Sequence, residues 1–141
     1  MIYIDTSLVV SLHVTEVRSY SAVNWFERRA GDVFLISDWT DVEVASALSR
    51  KVRSGKITEE QRQRAADAYA VMRDELFQRL TIAPGNYQRA VELLQEPSTG
   101  LRAGDALHLA IAEAHGASVA SLDATLMHAA NRFGLAVELI S

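Results

Sequence analysis

The chain opens with the segment Met1-Ile2-Tyr3-Ile4-Asp5-Thr6-Ser7, an apolar run that ends at an acidic residue. The apolar part predicts a short buried strand, and the two hydroxyl residues predict the cap of a brief helix that reaches about Leu12. The same order of strand, acid and helix recurs where Asp123 follows the strand-like segment 117–122. In open α/β sheets the ligand crevice lies beyond the carboxyl ends of the strands. The repeated pattern therefore predicts a functional site at that edge of a sheet.

Strands and helices alternate along the rest of the chain. Further strands are predicted at Val33–Ile36, Leu80–Ile82, 118–122 and Ala136–Ile140. Helices are predicted from Ser19 or Ser21 to Ala30, and over 38–54, 58–80, 86–94, 103–115 and 124–133. Such alternation indicates a parallel sheet with helices on both faces. We therefore predict one domain over residues 1–141, built as a three-layer α/β/α sandwich.

The composition limits the class of protein. Nearly half of the 141 residues are hydrophobic, which argues against disorder. There is no cysteine, so disulfides and thiolate metal sites are excluded, and a reducing cytoplasm fits this usage. No secretory signal is apparent, and the longest apolar stretch, Ala106–Ala112, is far too short to span a bilayer. We expect a cytoplasmic protein with no membrane association.

The formal net charge of −4 does not by itself favour nucleic-acid binding, but the basic residues are clustered. Six of the fourteen are Arg50, Lys51, Arg53, Lys56, Arg62 and Arg64. A local basic face matters more to a phosphate chain than the net count does. This cluster is most simply a solvated helix end and loop, and contact with an RNA backbone is the alternative interpretation.

Four acids occupy related places, namely Asp5, Glu43, Asp105 and Asp123. Any one of them is explained by the preference of acids for the first turn of a helix. Taken together they are harder to explain, because Asp5 and Asp105 lie within largely apolar surroundings. A carboxylate at the edge of a core needs a partner or it becomes neutral. The sequence offers few cationic side chains near Asp5, so a bound divalent cation is the favoured partner.

A site whose ligands are carboxylate oxygens, with no cysteine and no pair of histidines, favours Mg²⁺ or Mn²⁺ over zinc. The chemistry expected of such a site is transfer of a phosphoryl group to water, in which the cation stabilises the attacking and leaving oxygens. The histidines are scattered, and His108 lies one helical turn from Asp105. A packed or capping histidine is the favoured interpretation of His108, and a supporting role beside the acids is the alternative.

Four segments carry a resemblance to a known family: Ile4-Asp5-Thr6-Ser7, Glu43-Val44-Ala45-Ser46-Ala47-Leu48, Leu101-Arg102-Ala103-Gly104-Asp105-Ala106-Leu107-His108-Leu109-Ala110 and Ser121-Leu122-Asp123. They resemble a PIN domain, and more narrowly a VapC-type toxin of a bacterial toxin–antitoxin pair. The resemblance covers essentially the whole chain, including the closing segment 129–137, and the order and spacing of the four segments are specific.

The resemblance implies a Mg²⁺- or Mn²⁺-dependent endoribonuclease with four or five parallel strands. It also implies a homodimer and inhibition by a cognate antitoxin protein. By position, the catalytic and metal-binding acids are Asp5, Glu43, Asp105 and Asp123. Thr6 matches the small hydroxyl residue beside the first acid, and Ser121 stands where the family has Thr or Ser. Residues assigned to RNA contact are Arg50, Lys51, Arg53 and Arg102.

Some points stay open in the sequence. Asp38 and Asp41 flank Glu43 and are alternatives to it, although only Glu43 is followed by the Ala-Ser-Ala-Leu pattern. Thr125 stands where many relatives have a further acid, which leaves the number of metal ions undecided. A non-catalytic PIN-like module that binds RNA or protein is the main alternative function. An Asp-based phosphatase is disfavoured, because Ser7 occupies the place of its second Asp.

Overall fold

The computed structural model describes all residues from Met1 to Ser141. Five strands form one sheet: β1 Ile2–Ile4, β2 Phe34–Ser37, β3 Phe77–Leu80, β4 Ser118–Ser121 and β5 Val137–Leu139. Seven α-helices connect and cover them: α1 Thr6–His13, α2 Ser19–Arg28, α3 Asp38–Arg53, α4 Glu59–Leu76, α5 Pro84–Leu93, α6 Ala103–Ala114 and α7 Ala124–Arg132. A 3₁₀ turn, Pro97–Thr99, precedes α6. None of the helices combines the length and the apolar character needed to cross a membrane.

The sheet lies between two hydrophobic layers because its strands are apolar on both faces. Successive strand residues point to opposite faces. Accordingly, Ile2 and Ile4 pack in a cluster with residues of α1 to α4, whereas Tyr3 packs in a second cluster with residues of α5, α6 and α7. The prediction of a three-layer α/β/α sandwich with a parallel sheet is confirmed.

The order of the strands identifies the edge of the sheet at which a ligand site is expected. The order is β3-β2-β1-β4-β5, and all neighbouring pairs are parallel. The chain therefore winds outward from β1 to β3, then returns to place β4 beside β1. Ile4 pairs with Ala120, so the residues that follow β1 and β4 leave the sheet side by side. This reversal of strand order is the switch point at which open α/β sheets bind ligands.

The third strand was predicted at the wrong place. The sequence predicted Leu80–Ile82, but β3 runs over Phe77–Leu80 and pairs with β2 through Phe34 and Phe77. Leu80 follows Leu76 at helical spacing, so the pattern of apolar residues does not show that α4 ends at Leu76. Buried Phe77 belongs to the core on the α1–α4 face, and this tertiary contact determines where the strand begins.

Two helix caps also differ from the prediction. Asp5 itself caps α1, since its side chain accepts from the Ser7 backbone N–H, whereas Thr6 and Ser7 lie inside the first turn. Asn86 does not precede α5 but lies in its first turn and accepts from the Ala83 N–H. The helix predicted over 58–80 ends four residues early, at Leu76, and the remaining elements match the prediction to within three residues at each end. In α4 the predicted capping box of Thr58 and Gln61 is present.

Candidate active site

One cleft at the switch point is lined by all four predicted acids, Asp5, Glu43, Asp105 and Asp123. Asp5 comes directly after β1, and Asp123 follows β4 and caps α7. Glu43 lies one and a half turns into α3, and Asp105 lies in the first turn of α6. Four separate elements therefore deliver one carboxylate each to the same opening.

The side chain of Asp5 is almost wholly buried and is held by three hydrogen bonds. Its Oδ2 accepts hydrogen bonds from the Ser7 N–H at 3.2 Å, the Ser7 hydroxyl at 2.6 Å and the Ser121 hydroxyl at 2.7 Å. No Lys or Arg forms an ion pair with it. These three donors leave Oδ1 without a strong hydrogen bond, and its nearest cationic atom is Nε2 of His108 at 3.8 Å. Asp5 can therefore offer Oδ1 to a cation.

Ser121 joins the first acid to the fourth. The same hydroxyl that donates to Asp5 accepts the backbone N–H of Asp123 at 2.9 Å. Asp123 in turn accepts the N–H groups of Thr125 and Leu126 on Oδ1 and so starts α7. Oδ2 of Asp123 is free of backbone partners and lies 3.9 Å from the Arg102 guanidinium. Thr6 and Ser121 thus lie beside the acids, as the resemblance implies.

Glu43 is anchored through a single oxygen. Oε2 accepts from the Thr6 hydroxyl at 2.6 Å and contacts Nε2 of His108 at 2.5 Å. Burial alone would raise the pKa of Glu43, but the His108 contact, the Thr6 hydrogen bond and the nearby Trp39 N–H lower it. The buried Trp39 N–H approaches Glu43 without the geometry of a regular hydrogen bond. Glu43 is therefore a stable carboxylate.

His108 is completely buried and contacts the acids directly. Nδ1 lies 2.7 Å from the Tyr3 hydroxyl, on the side opposite Glu43. Burial disfavours the charged imidazolium, but Tyr3, Glu43 and Asp5 together raise the pKa of His108 above its ordinary value. The interpretation of His108 as a packed histidine was correct but incomplete. Its contact with Glu43 also places it at the site, which the sequence left as an alternative.

Asp105 is a partly buried acid that lines the cleft near Asp5 and Asp123. Burial raises its pKa, and so do the charges of Asp5 and Asp123, while the Arg102 backbone hydrogen bond and guanidinium oppose them. The Arg102 N–H donates to Oδ2 of Asp105 at 3.2 Å. The Arg102 side chain is 79% exposed, so its charge is largely screened by solvent. A cation between the acids would offset both the burial of this charge and the negative charges beside it.

Asp38 and Asp41 do not reach the cleft. Both form ion pairs with Arg79, at the start of α3 and away from the acids. Asp41 also accepts from the Tyr69 hydroxyl at 2.7 Å and pairs with Arg73. Their charges are thus already matched by side chains of α4 and β3. Of the three acids in this segment, only Glu43 faces the candidate site.

The basic residues assigned to RNA contact divide into two groups. Arg50, Lys51 and Arg102 line the acidic cleft, although Lys51 forms an ion pair with Glu16 at its rim. Arg53 lies outside it, in a separate groove between α3 and α4, and donates to Ser49. The structure therefore places Arg53 apart from the other three basic residues. Arg18, which the sequence did not single out, lines the cleft and donates to the Leu122 carbonyl.

Gly104 is a second residue that sequence analysis missed as part of the site. A Cβ built at this position would lie 2.4 Å from Oε1 of Glu43 and 3.2 Å from Nε1 of Trp39. Only a residue without a side chain leaves room for the Glu43 carboxylate. The signal was present in the adjacent Gly104-Asp105 pair, but the glycine alone indicates only a loop. Its role becomes visible once α3 and α6 are packed together.

The donor set fits a hard divalent cation. The cleft offers carboxylate oxygens from the four acids, and the pKa of Asp105 is raised there by burial and by the neighbouring acids. Asp5, Glu43 and His108 each present a ligand atom within 4.8 Å of the others. Since both ring nitrogens of His108 are engaged by Glu43 and Tyr3, the accessible donors are oxygens, which Mg²⁺ and Mn²⁺ prefer.

The α/β/α domain thus carries a cluster of carboxylates at its switch point, where open α/β sheets bind ligands. The sequence profile of the PIN domain matches residues 2–131. The chain therefore belongs to the PIN domain family. No curated protein sequence matches significantly.

Solved structures support the same fold at low sequence identity. VapC20 of Mycobacterium tuberculosis, a toxin that cleaves the sarcin–ricin loop, aligns with a TM-score of 0.74 and 18% identity over 96% of each chain. VapBC2 of Rickettsia felis, bound to a fragment of its promoter DNA, gives 0.71 and 21% over 100% of each chain. FitAcB of Neisseria gonorrhoeae gives 0.69 and 17% over 97% of this chain and 96% of its own.

Proposed function

We propose that this PIN domain is a Mg²⁺- or Mn²⁺-dependent endoribonuclease that acts as the toxin of a toxin–antitoxin pair. The observation that carries the proposal is the convergence of Asp5, Glu43, Asp105 and Asp123 in one cleft, where burial and the neighbouring acids raise the pKa of Asp105. Buried and crowded carboxylates cost stability. Such groups are typical of functional sites, where the charge is used. The four acids would hold a divalent cation, which would offset this cost and supply the catalytic charge.

In this proposal the four acids hold the cation, which on binding activates water and stabilises charge on the phosphate oxygens. Ser7 and Ser121 keep Asp5 in one orientation by donating to Oδ2. Thr6 does the same for Glu43. Because these donors use only one oxygen of each carboxylate, the other oxygen remains free for the cation. The chain's contribution is a rigid set of oxygen ligands.

RNA is the substrate class that we propose. The basic rim formed by Arg18, Arg50, Lys51 and Arg102 around an acidic floor suits a phosphate chain that passes over metal ligands. The cleavage of the sarcin–ricin loop by VapC20 is consistent with an RNA target here. Such a substrate implies action in the cytoplasm, in agreement with the absence of cysteine.

A protein antitoxin is the partner that we propose. VapBC2 of Rickettsia felis and the related complex from Klebsiella pneumoniae, described as a toxin–antitoxin complex, share this fold. The homodimer implied by the resemblance is part of the same proposal. A two-fold dimer must use the same patch on each subunit.

The first prediction concerns metal dependence. We expect Mg²⁺ or Mn²⁺ to support RNA cleavage and EDTA to stop it, because the four acids repel one another without a cation. Ca²⁺ should bind but support cleavage poorly, since its looser coordination positions the reacting groups less strictly. Cleavage of a labelled RNA pool measures this. Full activity in EDTA would contradict the metal mechanism. Cation binding without any cleavage would favour the non-catalytic binding module.

The second prediction concerns the RNA track. Replacing Arg50 and Lys51 with alanine should weaken RNA binding and flatten the dependence of log affinity on log salt by about one unit or less for each lost phosphate contact. The cut position should not change, because phosphate contacts position the strand without reading its sequence.

Arg53→Ala provides the matched control for that test. It removes one positive charge from the same helix, but from the groove outside the cleft. Affinity and salt slope should therefore stay at the wild-type values. An Arg53→Ala effect as large as that of the double variant would move the track to the groove between α3 and α4.

A further inference from the structure

A chain of side-chain contacts crosses the interior and ends on Glu43. It begins at Ser37, the residue before α3, whose hydroxyl lies 2.9 Å from the Tyr3 hydroxyl. The Tyr3 hydroxyl lies 2.7 Å from Nδ1 of His108, and Nε2 of His108 lies 2.5 Å from Oε2 of Glu43. Tyr3, Ser37 and His108 are fully buried. None of them lines the cleft, so they touch neither solvent nor substrate.

The direction of the last hydrogen bond follows from its acceptor. A carboxylate only accepts, so Nε2 of His108 carries a proton and donates a hydrogen bond to Glu43. Nδ1 pairs with the Tyr3 hydroxyl, which in turn pairs with the Ser37 hydroxyl. The chain of contacts therefore ends on the site. Burying an imidazole without partners would be costly, and both nitrogens are paired here.

We propose that His108 is a positioning residue that fixes the orientation of the Glu43 carboxylate for cation binding. This inference rests on the proposed metal site. By holding Oε2, His108 leaves Oε1 beside Gly104, which also lines the cleft. The Thr6 hydroxyl holds the same Oε2, so two donors from different elements fix one oxygen. His108 acts only through Glu43, because its ring has no exposed atom.

Packing alone does not account for a histidine at this position. The neighbouring residues Leu107 and Leu109 are aliphatic and fill the same core layer of α6. A leucine at 108 would have similar bulk and would not need polar partners. Loss of an outer partner of a metal ligand lowers metal affinity or activity by about 10- to 100-fold. That range sets the expected effect.

The test measures Mn²⁺ binding to the full chain, by the electron paramagnetic resonance signal of the free ion, without RNA. H108L should weaken Mn²⁺ affinity by about 10- to 100-fold. H108Q should restore most of it, because its amide nitrogen reaches toward the place of Nε2. H128A, which removes an exposed histidine, should bind as the wild type does. Circular dichroism on the same samples establishes that each variant is folded.

A double-mutant cycle separates positioning from general support of the fold. If His108 acts through Glu43, then adding H108L to E43Q should cause no further loss of Mn²⁺ affinity. If H108L does not fold, H108N replaces it, since asparagine is polar but too short to reach Glu43. Wild-type affinity in the folded variant, or a loss that adds fully to that of E43Q, would overturn the proposal.

The wild-type protein distinguishes this proposal from the function on which it rests. Mn²⁺ binding that depends on His108, together with a chain that cleaves no RNA, would support the positioning role and overturn the nuclease function. RNA cleavage with Mn²⁺ binding that is unaffected in H108L would overturn the positioning role alone. A wild-type chain that binds no Mn²⁺ would overturn both.

Discussion

Asp105→Asn should abolish RNA cleavage and at the same time raise the thermal stability of the metal-free protein. The loss of cleavage should be at least about 100-fold, because a direct ligand matters more than an outer partner. The gain in stability follows from the burial of this charge and from the acids beside it. Burial and the charges of Asp5 and Asp123 raise the pKa of Asp105. Asparagine removes the charge and keeps the shape.

The pH dependence has a definite sign. Since the pKa of Asp105 is raised on folding from its ordinary value of 3.8, the folded protein holds this proton more tightly than the unfolded chain does. Metal-free wild type should therefore lose stability as the pH rises through 3.8 toward the folded pKa, and should carry the full penalty above it. Asp105→Asn should lack this component. Its Tm at pH 7 should exceed the wild-type value, by about 4 °C for each kcal/mol relieved.

Mn²⁺ should reverse the order of stability. A cation that binds the folded state stabilises it according to its concentration and affinity. Wild type should gain more from Mn²⁺ than Asp105→Asn does, because the variant has lost a ligand. Thermal melts in EDTA and in Mn²⁺ test the reversal of stability, and cleavage assays on the same samples test the loss of activity. A variant that is less stable than wild type in EDTA would contradict the electrostatic account, and one that cleaves normally would remove Asp105 from the site.

Asp5→Asn is the matched comparison, with the same chemical change in a different environment. Its cleavage should also be lost. Its metal-free stability should fall, because Oδ2 of Asp5 accepts from Ser7 twice and from Ser121 once. An asparagine cannot accept all three bonds if its nitrogen faces them, and as a neutral group it forms weaker ones. Opposite stability changes would show that hydrogen bonding dominates at Asp5, and that the cost of burying a charge beside other acids dominates at Asp105.

The layer architecture was predictable because strand and helix patterns are local. Val33–Ile36 and 118–122 are apolar runs bounded by polar residues, and such runs indicate buried parallel strands. The strand at Phe77–Leu80 was not predictable in the same way. Gln78 and Arg79 are polar and exposed at the sheet edge, so only pairing with β2 identifies the segment as a strand. Tertiary pairing determined what the local pattern could not.

The site shows a similar division. The strand-end acids Asp5 and Asp123 were found by their positions, and both line the cleft. The function assigned to them stays a prediction. The supporting residues depend on the packing of distant segments. Tyr3 and His108 are 105 positions apart, and a single histidine in an apolar helix carries no sign of its partners. Arg53 was included because it is near Arg50 in sequence, but its guanidinium donates to Ser49 in the groove between α3 and α4.

Gly104→Ala should damage the site through one methyl group. The new Cβ would lie 2.4 Å from Oε1 of Glu43, a distance that the two atoms cannot keep. Flexible side chains often move aside, but Glu43 is held at Oε2 by Thr6 and His108, and Trp39 closes the other side. The carboxylate must therefore rotate away from its partners or α6 must shift from α3. We expect Mn²⁺ affinity and cleavage to fall by at least about 10-fold.

Gly85→Ala is a close control for this change. Gly85 and Gly104 are both the second residue of a helix, in α5 and α6, and neither has a positive φ. A Cβ at Gly85 would meet nothing within 4 Å. Alanine should therefore leave activity unchanged there and stabilise the helix by up to about 1 kcal/mol. At Gly104 the same helical gain should be outweighed by overpacking, which typically costs about 1–3 kcal/mol.

Chemical denaturation and Mn²⁺ binding of the two variants measure the difference. Because backbone conformation and helix position are matched, any divergence between them reports the steric contact with Glu43. If Gly104→Ala keeps wild-type Mn²⁺ affinity and is stabilised as much as Gly85→Ala, the Glu43 carboxylate is free to move and its fixed orientation is not required. If Gly104→Ala loses both Mn²⁺ affinity and stability, a glycine is required before Asp105 because the Glu43 carboxylate occupies the space of its side chain.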